Sequence, residues 1–406
     1  MGYERFLAGR ANLIEASPIR VAVAKIAELT DRGFKVISLA AGDPDPDVIP
    51  RRLLAQLMLK VLDDPRSVIY APTQGWPNAR RAIAEFYGKQ YGLNVSSDNI
   101  IITTGGEQAL DLVPRVLCDP GDVVVLENPS YTNAILCWKH YAVQMVGVPM
   151  DDNGMRMDLL EETLKRLKSE GKRVKFVYTV TPGNNPSGIT LSEDRGKYLL
   201  ELASKYDFLV FEDAAYLPLQ YGARLKPLIS MDKDGRVIHE STASKIMGTG
   251  WRTGWLIAKG EVFEKSLQAK MPMDMCAPSP SQLLFEELIV KGYVYDVINV
   301  ACKSYEEKMS LMVKSIEDYL PNLKSTKPVA GMFLMLWLPS NVKGWDFFNR
   351  LIEKYRVAIV PGEPFFIDGS GVNTIRLNFS RPKLDDIPNA IKSIAKLLKE
   401  DYATTL

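Results

Sequence analysis

Five apolar runs in the middle of the chain each end in polar, charged or glycine residues. The segments that follow them span residues 103–108, 127–131, 181–188, 212–216 and 240–252. Together they supply carboxylates, amides, hydroxyls, an aromatic ring, a lysine and an arginine. Each segment by itself is typical of a turn, and a single lysine is usually a solvated surface group. Because all these residue types recur at consecutive run ends, we interpret them as parts of one binding site.

The residue types restrict the chemistry of such a site. The 406-residue chain has only two histidines, His140 and His239. Acid–base chemistry near neutral pH would therefore depend on lysine, tyrosine, a carboxylate or a bound cofactor. The spacing of Gly248, Gly250 and Gly254 differs from the dinucleotide fingerprint, and no Walker loop is present.

The elements that position these residues follow from the apolar pattern. Continuous apolar runs at 100–102, 123–126, 174–180, 208–211 and 237–238 alternate with helical stretches. This pattern predicts an α/β fold with a mostly parallel central sheet covered by helices, and ligands bind at the carboxyl ends of such strands. Ser17 and Pro18 predict the start of a helix that ends near Gly33.

A second, smaller α+β domain is expected after about residue 290. A long helical stretch at 294–319 leads to strand-like segments at 331–337, 357–359 and 375–379. The predicted division is an N-terminal segment at 1–45 that completes the small domain, a large ligand-binding domain at 46–290 and the small domain at 291–406. A chain of this length is more than one core usually organises.

The bulk composition excludes several classes of protein. The formal net charge of +1 gives no global attraction to nucleic acid or to a membrane. No apolar run is long enough to span a bilayer, and the first residues have no signal core. The cysteines show no CxxC pairing, so we expect no metal site and a reducing cytoplasm. They are Cys118, Cys137, Cys276 and Cys302.

Several motifs occur together in a fixed order. The most specific is TASK at 242–245, with Arg252 seven residues after Lys245; NPSG at 185–188, Asp213 with Tyr216, and RLNF at 376–379 complete the set. This set resembles the fold-type I pyridoxal-phosphate aminotransferases over residues 18 to 397. The segments SLAAGDPDP at 38–46 and YAPTQGW at 70–76 are most similar to the branch of 2-aminoadipate, kynurenine and aromatic aminotransferases.

The resemblance assigns the catalytic residues and the cofactor, pyridoxal 5'-phosphate. Lys245 would bind the cofactor as a Schiff base and then move a proton on the substrate. Asp213 would pair with the pyridine nitrogen and keep it protonated. Asn185 and Tyr216 resemble the residues that hydrogen-bond the phenolic oxygen, and Tyr131 resembles the aromatic residue stacked on the ring.

The resemblance also assigns the phosphate site. Gly106 and Glu107 would offer backbone N–H groups at a helix N-terminus, and Thr242 and Arg252 would add a hydroxyl and a charged fork. Tyr70 resembles the tyrosine that reaches the phosphate of a neighbouring subunit, which implies a homodimer. The branch usually has serine and glutamine at positions 106 and 107, so we expect the Glu107 carboxylate to point away from the phosphate.

The substrate site follows from the same resemblance. Arg376 would clamp the substrate carboxylate, with Gly42 and Asn185 beside it. The expected reaction moves an amino group from an aromatic, kynurenine-like or 2-aminoadipate-like L-amino acid to a 2-oxo acid such as 2-oxoglutarate.

Three alternatives stay open on the sequence. The first is a lyase that eliminates a β-substituent or cleaves a C–S bond on the same cofactor, since fold and cofactor do not fix the reaction. The second is a cofactor-binding transcription regulator, although the first 20 to 30 residues are too few for a DNA-binding domain. The third is an inactive homologue, which the joint presence of Lys245, Asp213 and Arg376 disfavours.

Overall fold

The computed structural model describes residues 2–222 and 224–404. The helices are α1 (Pro18–Asp31), α2 (Arg51–Asp63), α3 (Pro77–Tyr91), α4 (Gly106–Leu117), α5 (Thr132–Lys139), α6 (Met157–Ser169), α7 (Glu193–Tyr206), α8 (Gly260–Asp274), α9 (Ser279–Val290), α10 (Tyr293–Tyr319), α11 (Gly344–Tyr355) and α12 (Asp386–Tyr402). The strands are β1 (Ile37–Ser38), β2 (Ile100–Thr104), β3 (Val123–Asn128), β4 (Gln144–Asp151), β5 (Gly154–Met155), β6 (Val174–Val180), β7 (Leu209–Asp213), β8 (Val237–Thr242), β9 (Thr253–Ile257), β10 (Phe333–Trp337), β11 (Val357–Ala358), β12 (Val360–Pro361) and β13 (Thr374–Asn378).

A central sheet organises the larger part of the described chain. Its strand order is β2-β9-β8-β7-β6-β3-β4-β5. Strands β4, β3, β6, β7 and β8 pair in parallel, whereas β9 is antiparallel to both β8 and β2, and β5 is antiparallel to β4. The predicted α/β fold with a mostly parallel sheet is therefore confirmed.

Both faces of this sheet are covered, which explains why its strands are apolar without alternation. In β3, Val124 and Leu126 pack into one core cluster, while Val123 and Val125 pack into a second. The first cluster also contains Trp138 of α5, whose ring meets those of β6 edge-on. The second is closed by α6 and α7.

A second, three-stranded antiparallel sheet has the order β10-β13-β12; α11 packs against β12 and also contacts α12. The N-terminal segment belongs next to it, because Ile37 of β1 pairs in parallel with Val357 of β11. This pairing supports the predicted role of residues 1–45 in completing the small domain, whose boundaries stay a prediction.

Helix α1 begins at Pro18, as predicted, and the chain turns at Gly33 with a φ of +86°. The Ser17 side chain makes no capping hydrogen bond, so the proline at the first helical position marks this helix start without a side-chain cap. No helix in residues 2–222 and 224–404 is long and apolar enough to cross a membrane.

Candidate active site

A cavity of about 560 Å³ lies at the carboxyl ends of β6, β7 and β8. Its other walls come from the start of α4, the loop after β8, the start of α1 and strand β13. Of the residues predicted from the sequence, all but Tyr70 line it. They are Gly42, Gly106, Glu107, Tyr131, Asn185, Asp213, Tyr216, Thr242, Lys245, Arg252 and Arg376.

Lys245 lies in a short 3₁₀ turn (Ala243–Lys245) that follows β8 directly. Its Nζ donates to the carbonyl oxygen of Gly42, 3.2 Å away, and lies 5.5 Å from the centre of the Tyr216 ring. Burial lowers the pKa of Lys245, while the nearby carboxylates of Asp43, Glu107 and Asp213 oppose that shift. A lysine in this environment is a neutral amine at a lower pH than a surface lysine, so more of it is available as a nucleophile and base near neutral pH.

Asp213 is the last residue of β7 and is almost fully buried. Its Oδ2 accepts a hydrogen bond from the Tyr178 hydroxyl at 2.6 Å, and its Oδ1 accepts from the Ala215 backbone N–H at 3.2 Å. Burial raises the pKa of Asp213, whereas these two donors lower it. A cationic nitrogen placed against this carboxylate would favour its ionised form.

Arg376 extends from β13 into the cavity and is 1% exposed. One terminal nitrogen donates to Oδ1 of Asn185 at 3.0 Å and the other to the carbonyl of Ala40 at 2.8 Å. Nε is buried and has no partner among the described residues. Burial lowers the pKa of Arg376 to about 10, so the guanidinium stays charged at neutral pH and is available to an incoming anion.

Asn185 joins this arginine to Tyr216. Its Nδ2 donates to the Tyr216 hydroxyl at 3.4 Å, and both residues are buried, with 4% exposure each. The chain Arg376–Asn185–Tyr216 thus places a guanidinium, an amide and a phenol in a row along one wall. Their hydrogen bonds fix the orientation of the Asn185 amide.

A tight cradle lies at the start of α4. The N–H groups of Gly106 and Glu107 are in the first turn, where a helix has no internal acceptors for them. A β-carbon at Gly105 would overlap the Arg252 guanidinium, and one at Gly254 would lie 2.6 Å from the carbonyl carbon of Gly105. The loop is therefore packed directly against Arg252, and free N–H groups beside a guanidinium suit a phosphate.

Two predicted phosphate residues have other partners in this structure. The Thr242 hydroxyl donates to the carbonyl of Thr253 at 2.8 Å, so its proton already has an acceptor. The Glu107 carboxylate accepts from the Tyr131 hydroxyl at 2.6 Å and from Asn133 at 3.0 Å. Glu107 is therefore turned towards Tyr131, and its predicted contribution to a phosphate is limited to the backbone N–H.

Tyr70 lies outside the cavity of its own chain. Its side chain is 77% exposed, next to Val68 at 77% and Ile69 at 57%. Within the described residues nothing brings the Tyr70 hydroxyl to the cradle at the start of α4. Its predicted role across a subunit interface stays a prediction.

Comparisons with known proteins identify the family. The model of the family described as aminotransferase class I and II matches residues 35–394. The chain belongs to the class I and II aminotransferases. Like an aromatic-amino-acid aminotransferase 1 of Thermococcus litoralis, to which it is 38% identical over 99% of this chain and 96% of the relative, it is an enzyme that transfers amino groups.

Solved structures of relatives agree with this assignment. The fold is similar to that of an archaeal alanine:glyoxylate aminotransferase, with a TM-score of 0.97 and 49% identity over 99% of this chain and 100% of that one. It is also similar to a Pyrococcus horikoshii kynurenine aminotransferase in complex with PMP, with a TM-score of 0.92 and 38% identity over 98% of each chain. The predicted branch of 2-aminoadipate, kynurenine and aromatic aminotransferases and the predicted cofactor, pyridoxal phosphate, are both confirmed.

The residues of this aminotransferase fit that cofactor. Lys245 would offer an amine to the cofactor's carbonyl carbon, Asp213 would offer a carboxylate to its ring nitrogen, and the cradle would offer N–H donors to its phosphate. The orphaned Nε of Arg376 provides a further donor for a carboxylate. The cavity thus contains side chains and N–H groups suited to the carbonyl, the ring nitrogen and the phosphate of the cofactor and to a substrate carboxylate.

Several cavity residues escape the sequence reasoning. Ile19, Arg20 and Val23 of α1 line the cavity, as does Glu240 of β8. The amphipathic pattern predicts α1 but not which part of the fold it covers. Glu240 lies in the strand-end segment at 240–252, but only its position opposite Asp213 in the sheet reveals that it faces the site.

Proposed function

We propose that this aminotransferase moves the amino group of an aromatic, kynurenine-like or 2-aminoadipate-like L-amino acid to a 2-oxo acid such as 2-oxoglutarate. The single observation that carries the proposal is that one cavity combines Lys245, Asp213 and Arg376 with the glycine cradle beside Arg252. A lyase on the same cofactor shares most of these groups. The relatives described above are aminotransferases, which favours transamination.

Lys245 and Asp213 perform complementary tasks. Bound pyridoxal phosphate supplies an electron sink for the pair of electrons released at the substrate's α-carbon. Lys245 attaches the cofactor covalently between turnovers, and as a neutral amine it takes the proton from the α-carbon. Asp213 holds the ring nitrogen in its protonated form, because its carboxylate favours a cation next to it.

Arg376 binds the substrate's α-carboxylate. Its guanidinium is held by Asn185 and Ala40 and keeps Nε free, so an arriving carboxylate finds an oriented donor. A β-carbon at Gly42 would meet nothing within 4 Å, which leaves the space above Lys245 for the substrate. Tyr216 and Asn185 orient the cofactor's phenolic oxygen, and Tyr131 covers the ring.

Arg20 suits a second carboxylate. The cationic side chains that line the cavity in the described part of the chain are Arg20, Lys245, Arg252 and Arg376. Three of these have tasks at the cofactor or the α-carboxylate. Arg20 makes no ion pair among the described residues, and it lies on α1 beside the apolar Ile19 and Val23. The guanidinium of Arg20 would bind the second carboxylate of a dicarboxylic substrate, and the apolar residues beside it would contact a bulky apolar substrate side chain.

A panel of amino donors tests the proposal. Aromatic amino acids, kynurenine and 2-aminoadipate are each supplied with 2-oxoglutarate, and the glutamate formed is measured. Alanine with glyoxylate is included, because the alanine:glyoxylate relative is 49% identical. Release of pyruvate or ammonia from a substrate that carries a β-leaving group, without any glutamate, would instead indicate a lyase.

Arg20→Ala in the same panel separates acceptor recognition from catalysis. We expect kcat/KM for 2-oxoglutarate to fall by about tenfold, since a charge-assisted hydrogen bond contributes ~1.5–3 kcal/mol. Kcat/KM for a monocarboxylic 2-oxo acid should change by less than about twofold. An equal loss for both acceptors would exclude this role for Arg20.

The proposed enzyme is a homodimer in the cytoplasm. The exposed apolar residues Val68, Ile69 and Tyr70 support a subunit interface at this loop, since neighbouring exposed apolar side chains mark interaction sites. The four cysteines have free thiols, which is compatible with the proposed reducing compartment. Light scattering of the purified protein measures the mass of the assembly, and a monomer would contradict the dimer.

A further inference from the structure

Glu240 is a buried acid in the cofactor cavity to which the proposed mechanism gives no task. It lies on β8, is 1% exposed and lines the cavity. Its Oε2 has no hydrogen-bond partner among the described residues. A buried carboxyl oxygen without a partner is costly, so its presence at a ligand site calls for a function.

The sheet places Glu240 beside Asp213. The two residues are direct partners in the parallel pairing of β7 and β8, so their side chains lie on the same face. Adjacent strands lie about 4.8 Å apart, so the two carboxyl groups are close neighbours on that face. Two neighbouring buried carboxylates repel, and the pair is therefore stable only if it holds a proton.

The surrounding donors decide which acid keeps this proton. Asp213 accepts from the Tyr178 hydroxyl and from the Ala215 N–H, and both bonds favour its ionised form. Glu240 lacks such support at Oε2. Burial and the charge of Asp213 raise the pKa of Glu240 well above its ordinary value, with Glu107 adding to the rise and Lys245 opposing it.

Gly106 leaves room for the Glu240 side chain because it has no β-carbon. A β-carbon at position 106 would overlap Oε1 of Glu240, so any side chain there would displace the acid. Gly106 begins α4 at the phosphate cradle. Glu240 thus fills the space between the proposed phosphate site and Asp213.

We propose that Glu240 is a positioning residue, which stays in its neutral acid form and donates a hydrogen bond to Asp213. This bond holds the Asp213 carboxylate ionised and oriented towards the cofactor's ring nitrogen. The inference rests on the proposed function of Asp213. It adds Glu240 as a hydrogen-bond donor on the strand next to Asp213, the residue proposed to control the charge of the cofactor's ring nitrogen.

Two near-isosteric variants test this role. Glu240→Gln keeps a donor for Asp213 but cannot ionise, whereas Glu240→Leu keeps the volume and removes the donor. The cofactor's dissociation constant and the pH midpoint of its visible absorption when bound to the lysine are measured for both. We expect Glu240→Gln to match the wild type within about twofold, and Glu240→Leu to bind the cofactor about tenfold more weakly and to displace the midpoint.

Other outcomes would overturn the proposal. If Glu240 were ionised, Glu240→Gln would remove a negative charge next to the phosphate site and bind the cofactor more tightly than the wild type. If the side chain only filled space, Glu240→Leu would match Glu240→Gln in both measurements. Infrared difference spectra of the apo-protein provide a direct check, because the carbonyl stretch of a neutral acid should vanish in Glu240→Gln.

Two further variants test the proposed function of Asp213 separately from the role of Glu240, and distinguish both from folding defects. Asp213→Asn should weaken cofactor binding and displace the midpoint by itself; if it changes neither, the proposed function of Asp213 fails, whatever Glu240 does. Gly106→Ser should lower the thermal unfolding midpoint, and adding Glu240→Ala should restore it, because the overlap is then relieved. Absence of this recovery would contradict the placement of Glu240 under Gly106.

Discussion

Lys245 combines two properties at the residue scale, a buried amine and a bond to the Gly42 carbonyl. We expect Lys245→Ala to abolish steady-state transamination, because both the covalent attachment and the proton acceptor are removed. Borohydride reduction of the wild-type holoenzyme, followed by peptide mass analysis, should locate the cofactor on the peptide that contains Lys245. Label on another lysine would contradict the assignment.

The lowered pKa of Lys245 has a consequence for pH dependence. Only the neutral amine attacks the cofactor's carbonyl carbon, so the rate at which apo-protein takes up pyridoxal phosphate should rise with pH. Because burial lowers this pKa, the rise should be half complete at a pH below the ordinary lysine value of about 10.4.

Asp43 offers the matched control for this measurement. Its negative charge opposes the lowering of the Lys245 pKa, so Asp43→Asn should move the pH midpoint of the uptake rate to a still lower pH. The initial change in visible absorbance reports each rate. A wild-type midpoint at or above the ordinary lysine value would show that the amine is not desolvated in the apo-protein.

Substitutions of Arg376 and Arg252 should impair the enzyme in different ways. Arg376→Lys replaces a fixed fork by a single point charge, so we expect kcat/KM to fall at least about tenfold for every amino acid and oxo acid substrate while cofactor affinity is retained. Arg252→Ala should loosen the cofactor first, because Arg252 packs against the phosphate cradle. Steady-state kinetics and cofactor dissociation constants distinguish the two patterns, and equal cofactor affinity in Arg252→Ala and wild type would refute its role.

The sequence predicts a site residue when the residue belongs to a recognisable motif. It does not predict a site residue that reaches the site only through the three-dimensional packing of the strands. Lys245, Asp213, Asn185 and Arg376 lie in motifs, and the structure brings them into one cavity. Glu240 lies 27 positions after Asp213 in the sequence and comes to face it through the pairing of β7 and β8. The partner of the Thr242 hydroxyl, the Thr253 carbonyl, depends on the antiparallel turn between β8 and β9. Such contacts require the register of the strands, which sequence patterns do not contain.

At the scale of the elements, β9 holds the phosphate cradle in place. Its Gly254 pairs with Thr103 of β2, and a β-carbon there would lie 2.6 Å from the Gly105 carbonyl carbon and 2.8 Å from the Gly106 nitrogen. These neighbours are backbone atoms and cannot turn aside. We expect Gly254→Ala to displace the cradle, to weaken cofactor binding by about tenfold and to lower the free energy of unfolding by roughly 1–3 kcal/mol.

Gly88 provides the control for this substitution. It lies in α3, and a β-carbon there would meet nothing within 4 Å. Gly88→Ala should leave cofactor affinity unchanged and should stabilise the protein slightly, as alanine does in a helix. Denaturant unfolding and cofactor titration of both variants give the comparison. If Gly254→Ala binds the cofactor like Gly88→Ala, the close packing at the cradle is not required.

The sequence predicts those elements whose burial leaves a regular signal. Strands β2, β3, β6, β7 and β8 are buried on both faces, and each contains an uninterrupted run of at least two apolar residues. Strand β9 escapes prediction because its segment, Thr253–Ile257, starts with threonine and glycine and directly follows the loop that carries Arg252. The two-residue strand β1 is equally invisible, since only its pairing with β11 defines it.

At the scale of the whole molecule, Tyr70 is the residue that the single chain leaves without a task. It is 77% exposed and does not line the cavity that contains the cradle it is predicted to complete. If a second copy of the chain brings Tyr70 to the phosphate, the interface is two-fold and each subunit completes the other's site. We therefore expect Tyr70→Ala to weaken cofactor binding by about tenfold without changing the mass of the dimer.

Hybrid dimers distinguish a role across the interface from a role within one chain. In a hybrid of a Tyr70→Ala subunit with a Lys245→Ala subunit, an action across the interface leaves one site with both residues intact and the other with neither. Half of the sites should then bind the cofactor covalently with wild-type affinity. If Tyr70 serves its own subunit, each site of this hybrid lacks one residue and no site recovers.

The reverse hybrid reverses both expectations. A subunit that carries both Tyr70→Ala and Lys245→Ala is paired with a wild-type subunit through two different affinity tags. If Tyr70 acts across the interface, the wild-type subunit keeps Lys245 but receives the altered position 70 from its partner, so neither site is complete. If Tyr70 acts within its own chain, the wild-type site is intact. Because the two hybrids contain the same substitutions in the same number, folding defects affect both alike, and only the location of Tyr70's action can make one recover and the other fail.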